Sequence, residues 1–183
     1  MTTILNKPGV GSNLQDHLMI TVDAVSSSDE WLGFKPLATS NPLNYLTWFT
    51  SNPYNGPLGD AAIGSGAYMY VPFDDKDPYK RPQIQLLSVP FHTLIDWGIG
   101  YLDLMGYSDE YFKLNKKYSG TDGVTFLPCL VRPKSVGTIR LASSNYQDHP
   151  VIDPQYLKHP DDVNTFVEAL KIVKNVIDSK HFK

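Results

Sequence analysis

Residues 128–162 read PCLVRPKSVGTIRLASSNYQDHPVIDPQYLKHPDD and carry structural signals at almost every position. Two apolar or β-branched runs, at 127–131 and 138–142, flank five turn-forming residues at 133–137. This pattern predicts a β-hairpin in which Gly137 supplies a positive φ at the turn. The predicted hairpin is followed in the sequence by an extended connection and then by a helix.

Prolines shape both ends of this stretch. Pro128 lies inside the first run, and because proline has no N–H to donate to a ladder, we expect an edge strand there or a strand that begins after a break. The residues at 148–154 contain two prolines and two aspartates, which predict an extended, turn-rich connection.

A helix is predicted from about Pro160 to the end of the chain. Asp161 and Asp162 lie where the helix dipole favours negative charge, and Lys174 and Lys180 lie near the opposite end. Apolar residues recur at helical spacing, and we expect them to form one buried face: Val163, Phe166, Val167, Leu170, Val173 and Ile177.

Three further runs predict strands. The alternation in LMITVDAV at 18–25 is typical of a half-buried strand, and QIQLLSV at 83–89 is a second such run. The run at 61–71 contains Gly64 and Gly66, which weaken its start. Short helices are expected at 41–49 and within 95–117. The predicted fold class is α+β, an antiparallel sheet of about five or six strands with helices packed on one face.

Composition excludes several classes of function. With 183 residues, of which 42% are hydrophobic, the chain can bury a sizeable core as one domain. A net charge of -3 gives neither a basic footprint for nucleic acid nor a cationic face for membranes. The N-terminal residues 1–7 lack the apolar core of a signal peptide, and no apolar run is long enough to span a bilayer. We therefore expect a soluble chain and assign no compartment.

Metal and thiol chemistry are not predicted. Cys129 is the only cysteine, which rules out an intrachain disulfide or a thiolate cage, and we expect a buried, inert thiol. The acidic segment at 72–82 lacks the ligand spacing of a calcium loop and is interpreted as a solvated connector. His92 has no partner histidine at helical or hairpin spacing, so we expect either a surface histidine or one whose hydrogen bonds are satisfied, and not a metal ligand.

The stretch at 128–162 resembles the GMC oxidoreductases, flavoproteins named for glucose, methanol and choline oxidation. A second segment, PGVGSNLQDHL at 8–18, resembles the point at which such chains pass from the flavin domain to the substrate domain. The chain looks most like the animal FAD-dependent glucose and alcohol dehydrogenases of this family. The matching positions of the first stretch are Pro128, Pro133, Ser135, Gly137, Ile139, Leu141, Ser143, Pro150, Ile152, Pro154, Tyr156, Leu157 and Asp161.

The resemblance implies a division of the chain and a reaction. Residues 1–18 would be a remnant of the connection from a missing FAD domain, 19–158 the substrate-binding domain, and 159–183 a helix leading back toward a missing C-terminal part. The family oxidises CH–OH groups of alcohols or sugars with FAD. The chain has neither a dinucleotide fingerprint nor the C-terminal histidine segment, so we expect no catalytic residue, no FAD binding and no turnover from this chain alone.

The resemblance also suggests site residues. The loop that carries Asn13, Asp16 and His17 would pass close to the flavin, although His17 beside Asp16 is either an oriented base or part of a capped turn. Gln85 and Leu87 lie on a strand that would line the substrate wall, where Gln85 either binds a polyol hydroxyl or faces solvent.

Two other readings remain open, a non-catalytic binding or interaction module and an antigenic truncated product that retains the fold. In the preferred reading the partner is a small alcohol or sugar in the full-length protein. Self-association is then expected through apolar surface that had covered a neighbouring domain.

Overall fold

A computed structural model describes residues 4–26, 64–71, 77–94, 104–180 and 182. The helix expected at 41–49 and the acidic residues Asp74 and Asp75 lie outside these ranges. The elements in chain order are β1 (Leu18–Met19), β2 (Val22–Val25), β3 (Ser65–Met69), β4 (Ile84–Val89), α1 (Asp109–Asn115), a 3-10 turn (Lys116–Tyr118), β5 (Gly123–Leu130), β6 (Thr138–Arg140), β7 (Val151–Asp153) and α2 (Pro160–Ile177).

The main sheet has the strand order β1-β5-β4-β3, and β2 also pairs with β5. Both β1 and β2 run antiparallel to β5. A second, two-stranded sheet is made by β6 and β7. An antiparallel sheet of five strands with two helices confirms the α+β fold class within the described part of the chain.

The predicted hairpin between the runs at 127–131 and 138–142 is wrong. The strand β6 pairs with β7 instead, with Thr138 opposite Asp153 and Arg140 opposite Val151. The first run belongs to β5, which already has hydrogen-bonded neighbours on both sides in the main sheet. Because both edges of β5 are taken, the following strand must find another partner.

The edge-strand prediction from Pro128 is also wrong, since β5 lies inside the sheet. The proline sits opposite the interruption between β1 and β2, where Ile20 N–H donates to the Pro128 carbonyl at 3.2 Å. In an antiparallel ladder the N–H and C=O of one residue point to the same neighbour. The hydrogen bond that proline cannot make therefore falls at this interruption between β1 and β2, whereas β5 itself continues through Pro128.

Gly137 is needed for a close approach of backbones rather than for a positive φ. Positive φ among the described glycines occurs at Gly11, Gly106 and Gly120. A Cβ at Gly137 would lie 2.1 Å from the Asp153 carbonyl oxygen. On its other side, Gly137 exchanges two backbone hydrogen bonds with Leu14, at 2.8 and 3.1 Å. The glycine thus lets two chain segments flank the start of β6.

The chain divides into two compact units. Unit 1 consists of Met1–Ile20, Tyr68–Gln85 and Pro128–Lys183, and unit 2 of Thr21–Ala67 and Leu86–Leu127. Unit 1 has a buried apolar cluster in which residues of α2 meet residues of β4 and β5. The buried members of this cluster are Val71, Ile84, Leu130, Phe166 and Ala169.

The predicted start of α2 is confirmed, and its predicted buried face is partly wrong. His159 is the N-cap and Pro160 the first helical residue. The buried residues are Asp162, Thr165, Phe166, Ala169 and Val173. In contrast, Val163, Val167 and Leu170 are 40%, 43% and 37% exposed. The helix is turned so that the face through Asp162 and Phe166 points inward, because the Asp162 carboxylate accepts the main-chain N–H groups of Lys134 and Ser135 at 2.9 and 2.8 Å.

Candidate functional site

The described residues line a large cavity in unit 1 and another in unit 2. The arginine cavity of unit 1 has a volume of about 620 Å³ and is lined by Gln15, His17, Asp77, Pro78, Arg81, Gln83, Val131, Arg132, Pro133 and Lys134. The tyrosine cavity of unit 2 has a volume of about 630 Å³ and is lined by Thr21, Asp23, Val25, Ser26, His92, Leu94, Tyr111, Asn115, Tyr118 and Thr121. Both are lined by polar and apolar groups, as small-molecule sites are.

The N-terminal loop is fastened to β6 by hydrogen bonds. Ile139 N–H donates to the Gly11 carbonyl at 2.8 Å. The Arg140 guanidinium donates to the Val10 carbonyl and to the Ser12 hydroxyl, both at 2.9 Å. This docking holds the segment that carries the predicted cofactor residues in one place within unit 1.

Asp16 fixes the end of this loop. Its carboxylate accepts a hydrogen bond from the Tyr156 hydroxyl on Oδ2 and from the His17 backbone N–H on Oδ1, the latter at 2.9 Å. The hydrogen bond to Asp16 raises the pKa of Tyr156. Of the two readings for Asp16 and His17, these contacts support the capped turn. The side chain of Asn13 lies on the exposed part of the same loop, and His17 lines the arginine cavity.

Asp77 is the centre of an ion-pair cluster that was not predicted from the sequence. Its Oδ2 accepts hydrogen bonds from Arg81 Nε at 2.8 Å and Arg132 Nη1 at 3.0 Å. The Tyr79 N–H donates to Oδ1 at 3.0 Å. The Asp77 side chain is only 8% exposed, and the hydrogen bond from Arg81 holds its pKa well below the usual range.

Residues 78–82 are exposed, as expected of a solvated connector, whereas the Asp77 side chain is held by two guanidinium partners. Asp77 and Arg81 lie four residues apart, but they are not in a helix, where that spacing would indicate a contact. Arg132 lies 55 residues away in sequence, and no local pattern indicates it.

The tyrosine cavity contains a hydroxyl network around Asp23. Its carboxylate accepts hydrogen bonds from the hydroxyls of Thr93 and Thr125, both at 2.5 Å, and of Tyr111 at 3.0 Å. The Thr125 hydroxyl also lies 2.9 Å from the Phe91 carbonyl. The donors to Asp23 are separated from it by 70 to 102 residues, so sequence spacing alone does not indicate the network.

Two stacked tyrosines border this network. The rings of Tyr107 and Tyr111 have centroids 4.5 Å apart, and the Tyr107 hydroxyl lies 2.6 Å from the Thr21 hydroxyl. Burial raises the pKa of Tyr111 to about 12 and also raises that of Tyr107. Both phenols therefore remain protonated at neutral pH, and Tyr111 donates to Asp23.

His92 is buried and its ring nitrogens are both engaged, as expected for a satisfied histidine. Its Nδ1 accepts the Leu94 N–H at 3.2 Å, and its Nε2 lies 2.9 Å from the Thr121 carbonyl. These partners assign the neutral tautomer with the proton on Nε2. His92 therefore ties two loops of unit 2 together. Cys129 is buried as predicted, and burial raises the pKa of its thiol.

The predicted substrate residues lie on β4. Gln85 and Leu87 are half-buried and line neither the arginine nor the tyrosine cavity. Leu87 packs over Gly66, where an added Cβ would lie 3.0 Å from Leu87 Cδ2. The glutamine that lines a cavity is Gln83, whose Oε1 accepts the Val71 N–H at 2.9 Å. The roles of Gln85 and Leu87 stay predictions.

No group of three metal-ligating side chains occurs among the residues that the structure describes. Within the same ranges, neither helix is long and apolar enough to cross a bilayer.

Comparison with known sequences identifies relatives. A profile described as GMC oxidoreductase matches residues 133–183. An alcohol dehydrogenase (acceptor) of Pseudomonas putida is 31% identical over 96% of this chain and 28% of its own length. Mitochondrial choline dehydrogenase of Mus musculus is 27% identical over 94% of this chain and 25% of its own length. The chain thus spans about a quarter of the curated relatives it matches.

Solved structures agree on the fold. A formate oxidase of Aspergillus oryzae RIB40 superimposes with a TM-score of 0.70 at 16% identity, covering 100% of this chain and 32% of the other. An FAD-dependent oxidoreductase of Chaetomium thermophilum superimposes with a TM-score of 0.58 at 15% identity, covering 96% of this chain and 32% of the other.

Proposed function

Because this chain belongs to the GMC oxidoreductase family, we propose that it is the substrate-binding portion of an FAD-dependent enzyme that oxidises CH–OH groups of alcohols or sugars. The observation that carries the proposal is the coverage: 96% of this chain aligns with 28% of an alcohol dehydrogenase. An independent support is the superposition of the whole chain on one third of a formate oxidase.

The described residues fit contact with one side of an FAD, but not a complete site for it. The docked loop presents the Asn13 amide and the His17 imidazole as exposed hydrogen-bonding groups, with Asp16 and Tyr156 holding the loop. A pyrophosphate needs free N–H groups, such as those at a helix N-terminus. Both described helices are capped by their own side chains, α1 by Ser108 and α2 by His159. Each cap occupies one main-chain N–H of its helix, and because the sequence has no dinucleotide fingerprint we expect the diphosphate to be held outside these residues.

The division of labour follows from these contacts. FAD, when bound, supplies the hydride acceptor for oxidation of the alcohol carbon. This chain supplies a rigid loop, Asn13–His17, toward the cofactor and a strand wall, Gln85 and Leu87 on β4, toward the substrate. In this proposal Gln85 orients a substrate hydroxyl by hydrogen bonding. Leu87, supported by Gly66, excludes water from an apolar part of the substrate.

The proposal is tested on the full-length protein that contains this chain. Purified enzyme is mixed with an artificial electron acceptor and a panel of primary alcohols, choline and aldose sugars, and acceptor reduction is recorded. We expect turnover with at least one CH–OH substrate. A folded, flavin-loaded protein that reduces no acceptor with any of them would contradict the oxidoreductase assignment and favour the non-catalytic binding module.

The role of Gln85 is tested in the same assay. Gln85→Leu keeps the size of the side chain and removes its hydrogen bonds, so we expect KM for the preferred alcohol to rise about tenfold. Gln147→Leu, at an exposed position, is the matched control and should leave KM unchanged. Equal kinetics of the two variants would remove Gln85 from the substrate wall.

The incompleteness of the cofactor site gives a further test. We expect the 183-residue chain, expressed and purified alone, to carry no flavin and to take up no added FAD. Visible absorbance spectra before and after desalting decide this, with the full-length protein as the positive control. A yellow chain with flavin bands after desalting would show that these residues suffice.

A further inference from the structure

Among the described residues that line the arginine cavity, positive side chains outnumber carboxylates. They are Arg81, Arg132 and Lys134, with the carboxylate Asp77. Lys134 Nζ also contacts the Asp161 carboxylate at 2.7 Å. Within this described set, the positive charge that Asp77 and Asp161 do not balance lies on the two arginines.

Asp77 holds these two guanidinium groups in place and leaves some of their N–H donors available. A guanidinium has five N–H donors in a planar fork. Asp77 engages the Nε of Arg81 and one Nη of Arg132, on the same carboxylate oxygen. The anchor is 8% exposed, whereas the side chains of Arg81 and Arg132 are 57% and 40% exposed. The outer edges of both forks remain accessible to a ligand.

The geometry points to a binding site for a phosphate group in this cavity, contacted by Arg81 and Arg132. Paired planar forks match the oxygens of a tetrahedral dianion, and arginine binds phosphate in a bidentate manner. Gln83 adds a donor, because its Oε1 is occupied by the Val71 N–H and its NH₂ group is the remaining polar end. The two arginines have no role in the proposed oxidation chemistry, although His17, proposed above as a cofactor contact, lines the same cavity.

The ligand is either free phosphate or a small phosphate ester. The cavity volume of about 620 Å³ exceeds what one phosphate ion fills. Gln15 and His17 line the same cavity and offer polar contacts to the remainder of an ester. Both sources share the phosphate dianion, and the probes below separate them.

The test uses the 183-residue chain labelled with ¹⁵N, titrated with inorganic phosphate, glucose 6-phosphate or ADP at constant ionic strength. The Nε–H signals of Arg81 and Arg132 report on the site directly. We expect saturable shifts of both signals with at least one probe. Equal affinity for all three probes would identify phosphate itself as the ligand, and tighter binding of an ester would identify that ester's class.

Two variants and a control make the assignment specific. Arg132→Gln is expected to weaken binding about tenfold or more, since it removes a charged hydrogen-bonding partner. Arg132→Lys keeps the charge, loses the fork and should also weaken binding. Lys171→Gln, which removes one positive charge from the exposed side of α2, should change affinity less than twofold.

The outcomes decide the proposal even where a variant fails to fold. Absence of saturable shifts at the two arginines of the native chain would overturn it. An equal loss of affinity in Lys171→Gln and Arg132→Gln would also overturn it, because binding would then follow net charge and not the cavity.

Discussion

Units 1 and 2 each contain a carboxylate that receives several hydrogen bonds, but they supply its partners differently. In unit 1, Asp162 is 2% exposed and accepts two main-chain N–H groups. In unit 2, Asp23 accepts hydroxyls of Thr93, Thr125 and Tyr111. Main-chain donors are fixed by the path of the chain, whereas hydroxyls rotate. Asp162 therefore fixes the course of a turn, and Asp23 organises side chains around a cavity.

The difference extends to the surroundings of each carboxylate. Asp162 lies on the same helix face as Phe166 and Ala169, members of an apolar cluster. Asp23 lines a cavity together with tyrosine and threonine side chains. Among the described residues, unit 1 combines an apolar cluster with a carboxylate that accepts main-chain N–H groups, and unit 2 contains a hydroxyl network beside a cavity. The following predictions test this contrast, from the largest effect to the smallest.

The first variant removes the apolar support of unit 1. Phe166→Asp places an unpaired charge at a site that is 5% exposed, and we expect a loss of about 4 kcal/mol or more in the free energy of unfolding. Val167→Asp is the control, since Val167 is 43% exposed and should cost less than about 1 kcal/mol. Urea denaturation measures both. Similar losses would show that α2 has the orientation predicted from its hydrophobic pattern.

The second variant removes the two hydrogen bonds that the Asp162 carboxylate accepts from the turn at 134–135. Asp162→Ala leaves the part-buried Lys134 N–H and the buried Ser135 N–H without their acceptor, which should cost about 3 kcal/mol. Asp161→Ala removes the ion pair with Lys134, whose side chain is 46% exposed, and a 3.9 Å contact with His159, and should cost about 0.5 kcal/mol. Thermal and urea unfolding compare the two. Equal losses in the free energy of unfolding for Asp162→Ala and Asp161→Ala would show that the hydrogen bonds to Asp162 contribute little to stability.

The third variant tests the close approach at the start of β6. A methyl group at Gly137 would collide with backbone atoms of Asp153 and Pro154, so Gly137→Ala should destabilise by about 2 kcal/mol. At Gly9 an added Cβ meets nothing within 4 Å, which makes Gly9→Ala the matched control. We expect the control to keep the native unfolding midpoint. A neutral Gly137→Ala would mean that β6 and β7 separate easily.

The fourth prediction concerns unit 2 and is the smallest. Tyr111→Phe removes one hydroxyl from Asp23 and should cost about 1 kcal/mol at neutral pH. If Tyr111→Phe lowers the free energy of unfolding as much as Phe166→Asp does, the proposed difference between the two units is wrong.

Tyr111 also makes stability depend on pH. Its pKa in the folded protein is about 12, above the ordinary value of 10.0. The unfolded chain loses this proton first, so the contribution is complete below about pH 10 and declines as pH rises toward 12. Absorbance titration of tyrosinate follows this directly, and Tyr111→Phe should lack the component that titrates last. If the tyrosinate titration curve of Tyr111→Phe at high pH equals that of the native chain, the raised pKa belongs to another tyrosine.

Local patterns predicted individual elements well. The alternation in 18–25 predicted one strand where the structure has two, β1 and β2, and the run at 83–89 predicted β4. Pro160 with its two aspartates predicted the start of α2. Such signals depend on residues that are close in sequence, which is why they were sufficient. The resemblance carried by the residues of 128–162 was likewise sufficient to indicate the family, which the comparisons confirmed.

Pairing and orientation were less predictable. The run at 138–142 could have paired with the preceding or the following strand, and only the occupation of both edges of β5 decided between them. The hydrophobic pattern of α2 offered two neighbouring faces, and the contact of Asp162 with a turn about 27 residues earlier selected one. The contacts in the two cavities were unpredictable for the same reason. Asp77 and Arg132, and likewise Asp23 and Thr125, are in contact but far apart in sequence.

By itself, then, the sequence determined the α+β class, most strand and helix positions and the family, because periodicity, proline and capping act within a few residues. The tertiary structure decided that Pro128 lies in an interior strand, why residue 137 must be glycine, and which carboxylates are anchored. These depend on backbones and charges that meet across long separations in sequence, where no local spacing reports the contact.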